Sequence, residues 1–367
     1  MNLVAQHRIE IPPLQIHNVG SLEEQLAGIY TRIPDSAQAM PSHMVRLSTI
    51  SLIVLCPQAD DLPATREAIK HLQSWHPARI LLIAPHHRGR PRIEAEIALI
   101  WSNRPDTPEQ QTAVCSEEIT LHVYGPASHH LLSIIRPLLP PDIPVALWFS
   151  GDPSLTTWLS KDLLSLAQTC FIDSHRYSRP SYVFSRLNAA RRYLAGKSLI
   201  DIAWLRVRPW RFSIARAFNL PEILNVVPLM AHIDIEIASP NAEAYLSMGW
   251  MLSCINALIK PAGQVRIPHT SFSPIDPGEP STTQARMIIT FGGGHDGRIV
   301  ITETEDTLTS RVYLGHSLIH TDVLPRYRVP SMVAIGETLQ HAPVEDGYLP
   351  ALEAATHLAV RREGTTP

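Results

Sequence analysis

The chain has little of what would place it in a specialised class. Its four cysteines, Cys56, Cys115, Cys170 and Cys254, stand far apart in 367 residues. That spacing excludes a disulfide-dense framework and contains no Cys-x-x-Cys element. Three of the four open or close apolar runs, so buried, reduced thiols are expected. Long apolar runs are also missing: 53–56 and 80–84 fall far short of the roughly 20 residues that span a bilayer. Residues 1–13 hold no basic stretch followed by an apolar core, so no secretory leader is expected. Charge of one sign is absent too, with 31 Lys and Arg against 34 Asp and Glu, a net of −3. Nothing global draws the chain to nucleic acid or an anionic membrane. The 18 histidines add charge only as pH falls toward about 6.5. A cytoplasmic protein without nucleic-acid or membrane partners is the expectation.

What is present is a globular composition, 45% hydrophobic and 18% charged, punctuated by 32 prolines. The length predicts two domains. A helix is expected over 21–33, with Ser21 as N-cap and Glu24 as its capping-box partner, then a linker over 34–41. From there the pattern becomes α/β. Apolar runs predict strands at 45–56, 79–85, 115–124, 143–149 and 171–173. Helices are predicted at 60–75 and 126–139, and from Asp152-Pro153 through Leu155, Leu159, Leu163 and Leu166. Residues 91–101 alternate, Ile93, Ala95, Ile97, Leu99 and Trp101 against Glu94 and Glu96, which reads as a half-exposed strand. The stretch 84–92 is then simplest as a hairpin loop.

The second half reads differently. A helix at 182–194, a strand at 226–238 and a helix from Ser239-Pro240 to Pro261 precede an exposed loop at 268–280. Strands follow at 285–291, 298–303 and near 311–313. The expected fold is thus α/β: a layered, mixed, mainly parallel sheet flanked by helices, followed by a smaller α+β domain with antiparallel strands. The expected divisions are a helical extension and linker (1–43), the α/β domain (44–180), the α+β domain (181–340) and a loosely packed tail (341–367).

Catalytic signatures do not emerge. The glycines at 292–294 and 297 lie between two strands, so they form a hairpin turn and not a phosphate loop, which needs a following helix. His316 and His320 would share a face only on a helix, and no Glu or Cys completes a metal set with them. No Gly-x-Ser-x-Gly elbow occurs. The adjacent acids Asp60-Asp61, Glu117-Glu118 and Glu345-Asp346 do not face each other as an acid/base couple would. Glu117 and Glu118 fall in a strand, so one is expected to turn toward the sheet, a carboxylate without a visible partner. No catalytic residue, metal or cofactor is assigned, and no small-molecule ligand is expected.

One segment stands out: Asp201-Ile-Ala-Trp-Leu-Arg-Val-Arg-Pro-Trp-Arg-Phe212. If extended, Trp204, Arg206, Arg208 and Trp210 project from one face; if helical, Trp204 pairs with Val207 instead. Trp and Arg together build strong contact surfaces, because the indole supplies area and the guanidinium stacks and pairs bidentately. Trp204, Arg206, Arg208, Trp210 and Arg211 are therefore candidate partner-binding residues. The same residues would equally make an internal Arg–Trp stack.

This segment resembles the OpcA family, whose element here comprises Asp201, Ala203, Trp204, Arg206, Pro209, Trp210 and Arg211. Other stretches resemble it in order: His76-Pro-Ala-Arg79, Cys115-Ser-Glu-Glu-Ile119, Pro137-Leu-Leu-Pro-Pro-Asp-Ile-Pro-Val145, Trp148-Phe-Ser-Gly-Asp-Pro153 and Ile172-Asp-Ser174. The likeness covers roughly residues 44 to 220. It implies a non-enzymatic partner of glucose-6-phosphate dehydrogenase that promotes its assembly and active state in the oxidative pentose phosphate pathway. It also marks Arg79, Glu117, Glu118, Trp148, Asp173 and Asp201 as structural or partner-facing. The competing reading is a sugar-phosphate- or nucleotide-binding enzyme or sensor using the α/β half.

Overall fold

The computed structural model describes residues 6–16, 24, 28, 43–46, 48–56, 58–73, 77–103, 112–150, 161–190, 196–262, 267–276, 278–293, 297–326, 329–340 and 347–364. The chain divides into two compact units interleaved in sequence. Unit 1 takes Met1–Asp173, Ala190–Ile200 and Ser331–Ala342; unit 2 takes Ser174–Ala189, Asp201–Pro330 and Pro343–Pro367. This differs from the consecutive division expected at 43, 180 and 340. Among the described residues no helix is long and apolar enough to cross a membrane.

Unit 1 is built on nine strands: β1 (Gln6–Ile16), β2 (His43–Arg46), β3 (Ile50–Leu55), β4 (Ala78–His86), β5 (Arg92–Asn103), β6 (Thr112–Tyr124), β7 (Val145–Phe149), β8 (Thr169–Ile172) and β9 (Ser198–Asp201). Their order is β1-β5-β6-β4-β3-β7-β8-β9, with β2 beside the start of β6. The pairs β2/β6, β4/β6, β3/β4, β3/β7 and β7/β8 are parallel, while β1/β5 and β5/β6 are antiparallel. Leu52, Ile53 and Val54 in β3 and Ile80 to Ile83 in β4 have no exposed surface, as expected of parallel strands covered on both faces. Helix α1 (Leu62–Gln73) buries Ile69 and Leu72. A helix from far along the chain, Ser331–Gln340, packs on α1 and buries Met332 and Ile335. Two shorter helices are α2 (Leu131–Ile135) and α3 (Lys161–Leu166).

Several expectations are corrected here. The run 45–56 is two strands, broken between Arg46 and Ile50. The stretch 84–92 is not a hairpin, because β6 lies between β4 and β5 and is the antiparallel partner of β5. The helix at 126–139 is three short pieces, Gly125–His129, α2 and Arg136–Leu138. Residues 6–16 form the strand β1, which the sequence reading missed. Of the helix at 21–33 only Glu24 and Gly28 are described, both helical, and the linker 34–41 lies outside the described residues, as do Asp152-Pro153, Leu155 and Leu159.

Unit 2 holds helices α4 (Pro180–Ala190), α5 (Ile202–Arg206), α6 (Arg208–Phe218) and α7 (Ala242–Ala262); α8 is the Ser331–Gln340 helix of unit 1, and α9 is Tyr348–Glu363. Its sheet runs β11-β10-β12-β13-β14-β15, made of β10 (Met230–Ile237), β11 (His269–Ser273), β12 (Ala285–Phe291), β13 (Gly297–Glu303), β14 (Thr307–Leu314) and β15 (Ser317–Pro325). All neighbours are antiparallel except β10/β11. Burial alternates strictly along β12 and β13. Met287, Ile289, Ile299 and Ile301 face a core completed by Trp210 and Ile214 of α6 and Met248, Met251 and Ile255 of α7. Ile288, Val300, Arg298 and Arg311 stand on the other, partly exposed face.

The antiparallel domain is therefore as expected, with two strands more. β11 lies in the supposed loop 268–280, and β15 carries His320 in extended backbone, with His316 in the turn before it. The two histidines do not share a helix face. Nor are residues 348–363 a loose tail: α9 buries Tyr348, Ala351, Leu352, Ala355 and Ala359. It packs so closely on α7 that a Cβ on Gly249 would sit 2.4 Å from the Ala351 carbonyl oxygen.

Candidate functional site

The Asp201–Arg211 segment folds as α5 and α6, joined at Val207, with Pro209 in the first turn of α6, where its missing N–H costs nothing. Asp201 caps α5. Its Oδ1 accepts from the backbone N–H groups of Ala203 and Ser174, each at 3.0 Å, and its Oδ2 accepts from the Tyr348 hydroxyl at 3.2 Å. A carboxylate only 1% exposed requires such donors. Burial, and then the Asp201 charge, push the Tyr348 phenol well above its ordinary pKa, so it stays a donor.

Trp204 is buried beneath Arg211, whose guanidinium carbon lies 3.7 Å from the ring centroid. Tyr348 flanks the same indole at 5.6 Å. Trp210 is also buried and donates through Nε1 to Glu303 Oε2 at 2.9 Å. Glu303 in turn is ion-paired to Arg326, whose side chain is 8% exposed. Arg206 is half-buried, 3.6 Å from Glu243, which also has His175 at 3.4 Å. Of the five candidate contact residues, then, Arg208 alone is exposed. The segment is an internal Arg–Trp stack that fixes the attitude of α6. On the outer face of α6, Arg208, Phe212 and Arg216 follow at four-residue spacing. Phe212 is 54% exposed, and the Arg216 guanidinium lies 5.6 Å from its ring.

The other marked residues lie mostly in unit 1. Arg79 and Glu117 are cross-strand neighbours on β4 and β6 and fully buried. Nε and Nη2 of Arg79 both reach Glu117 Oε2 at 2.8 Å, and Nη1 donates to the Leu138 carbonyl at 2.7 Å. Glu118, on the opposite face of β6, is equally buried and accepts a bidentate pair from Arg8 at 3.0 Å, with Arg66 3.7 Å away. Both acids thus turn inward and both have arginine partners, where the sequence reading expected one, unpartnered. Trp148 is buried in β7. Asp173 is buried and accepts from Ser331 Oγ at 3.2 Å.

Arg8, Arg66, Glu96, Glu118 and Thr120 line a cavity of about 290 Å³ with Glu10 and Ile97. Burial pushes the Glu96 carboxyl up, but the Arg66 hydrogen bond and the charges of Arg66 and His122 prevail and hold it below its ordinary value. Beyond it, His86 Nε2 and His122 Nδ1 are 3.2 Å apart, and His86 stacks on Tyr124 at 4.3 Å. Burial, and then the neighbouring His122, push the His86 pKa down. Among the described residues no three His, Cys, Asp or Glu side chains group as a metal set. Cys56, Cys115 and Cys170 are buried, whereas Cys254 is exposed. Burial pushes the Cys170 thiol up to about 12, so it stays protonated and is a poor nucleophile.

The sequence reading missed Glu243, Glu303 and Arg326, which hold the segment from distant parts of the chain. It also missed Phe212 and Arg216, although their spacing from Arg208 was a readable signal once Pro209 is taken as the start of a helix.

Residues 69–189 match the family described as glucose-6-phosphate dehydrogenase subunit N-terminal domain. The OxPP cycle protein OpcA of Synechocystis is 27% identical over 179 residues, 48% of this chain and 37% of that protein. Its namesake in Synechococcus elongatus is 29% identical over 190 residues, 50% of this chain and 40% of that protein. The match thus takes in less than half the length of either relative. Among solved structures, biliverdin reductase from Synechocystis aligns over 85% of this chain and 98% of its own at 11% identity and a TM-score of 0.40, too low to carry an argument. Over residues 69–189 this chain is thus similar to the OpcA family, and over about half its length to the cyanobacterial OpcA proteins.

Proposed function

We propose that the protein is a non-catalytic partner of glucose-6-phosphate dehydrogenase that binds the enzyme and promotes its assembly and active state in the oxidative pentose phosphate pathway. The match of residues 69–189 to a domain described as part of a dehydrogenase subunit carries this reading. An exposed face on α6 supports the reading as a surface for the contact. Buried stacks beneath α6 hold Arg208, Phe212 and Arg216 outward as a rigid, pre-ordered face, which lowers the entropic cost of docking. To activate, the protein must bind the active enzyme more tightly than the inactive one, and a tenfold bias requires about 1.4 kcal/mol.

The test is co-elution with the dehydrogenase and its activity across glucose 6-phosphate concentrations. A stable complex with raised activity is expected. Arg208→Glu combined with Phe212→Ala should weaken the complex roughly tenfold or more while leaving the protein folded. No complex and unchanged activity with the unmutated protein would refute the reading.

A second reading, small-molecule binding in unit 1, is favoured by the cavity at Arg8 and Arg66. Glu118 already holds Arg8, and Glu96 already holds Arg66, so a phosphate would have to displace a carboxylate. Thermal stabilisation by a sugar phosphate or nucleotide alone would support this alternative.

A further inference from the structure

Strand β15 closes one end of the unit 2 sheet, and among the described residues no strand pairs with its outer edge. An open edge with apolar side chains is a template for pairing. Leu318, Ile319 and Val323 are 52%, 40% and 56% exposed, a concentration of large apolar surface on one nine-residue strand. The strand carries no lysine, and its one proline is the last residue.

Its sequence, Ser317-Leu-Ile-His-Thr-Asp-Val-Leu-Pro325, is self-complementary about its centre. Placed antiparallel to a copy of itself in full register, Thr321 falls on the two-fold axis. His320 then opposes Asp322, Ile319 opposes Val323 and Leu318 opposes Leu324. Each apolar residue meets an apolar one, and the basic residue meets the acid twice by symmetry. Asp322 is ready for this role. Its Oδ2 is buried and ion-paired to Arg216 at 3.2 Å, while the side chain as a whole stays 15% exposed. An imidazole N–H from a facing His320 would give the carboxylate a second partner. A register irregularity lies at Ile319, opposite the step from Val312 to Tyr313. The regular stretch of β15 is therefore 320–325, which holds both His–Asp pairs, while the Ile319–Val323 pairs fall at the edge of the irregularity.

We infer that β15 is a homodimer interface, pairing antiparallel with β15 of a second copy so that two six-stranded sheets become one. This surface adjoins the face assigned to the dehydrogenase at Arg216, which pairs with Asp322, whereas Phe212 and Arg208 lie one and two turns away along α6. The full chain, free of the dehydrogenase, should sediment as a dimer at micromolar concentration. His320→Asp places like charges opposite each other twice and should weaken self-association about tenfold or more without lowering helix or strand content. Thr321→Cys, made with Cys254→Ser, brings two thiols together on the axis. Directly opposed strand residues lie about 4.5–5.5 Å apart between Cα atoms, within disulfide reach. A spontaneous intermolecular disulfide is expected, and Thr309→Cys, on the neighbouring strand, should not form one. A folded protein that is monomeric at tens of micromolar overturns the inference. So does a dimer that ignores His320→Asp and leaves the thiols introduced by Thr321→Cys unlinked, or protection of β15 from amide exchange only when the dehydrogenase is added.

Discussion

The two sheets solve the same burial problem in opposite ways. In unit 1 the strands are covered on both faces, so adjacent residues such as Ile53 and Val54 are equally buried and the charged residues that enter are forced into pairs: Arg79 with Glu117, Arg8 with Glu118. In unit 2 burial alternates, Ile299 and Ile301 inside, Val300 partly exposed, and charges such as Arg298 and Arg311 remain at the solvent. A two-sided sheet tolerates little change at any position. A one-sided sheet keeps a whole face free to vary or to meet something else.

The sharpest way to break that comparison is at the charges. Glu117→Ala should cost about 3–5 kcal/mol in a denaturant melt, because Arg79 is left buried beside a missing counter-charge. Arg311→Ala on the open face should stay within about 0.5 kcal/mol. Equal costs would refute the contrast. At the apolar positions, Leu52→Ala and Ile53→Ala should each cost about 2–5 kcal/mol although they point to opposite faces. In β13, Ile301→Ala should cost as much and Val300→Ala far less. Next comes the helix layer of unit 2. Gly249→Ala forces α7 away from α9 and should cost about 1–3 kcal/mol, read as a lower midpoint with unchanged slope. The smallest effect belongs to pH. The folded Glu96 carboxyl lies below its ordinary value of 4.5, so its contribution is fully present above about pH 4.5 and fades as pH falls through the folded pKa. Glu96→Gln should flatten that acid limb, and an unchanged limb would remove Arg66 as the cause.

The covered sheet was also the more legible one. Continuous apolar runs located β3, β4, β6 and β7 to within a few residues, because two-sided burial writes itself into composition. Strand adjacency was not written there, and the hairpin expected between β4 and β5 failed when β6 proved to lie between them. β15 was hidden because its first three residues are all exposed and its apolar residues do not alternate strictly. α9 was hidden because its buried stripe is largely alanine, a residue that composition does not mark as core. In the site, the Trp and Arg residues were visible but their setting was not. Trp210 meets Glu303 across 93 residues and Arg206 meets the Val329 carbonyl across 123, and no local pattern announces such partners. Hence the same residues could be read as a surface when they form a stack.

The interleaving of the two units has a consequence for how the protein is made. Asp201, Trp204 and Gly249 are laid down in mid-chain, yet the hydroxyl, ring and backbone that complete their surroundings belong to Tyr348 and α9. On the ribosome, α7 therefore waits with an uncovered apolar face until about a hundred further residues have emerged. Unit 1 waits likewise for Ser331–Gln340 to cover α1. The half-made chain thus exposes apolar surface prone to aggregation, and a stop codon after β15 would yield two incomplete cores instead of one finished domain.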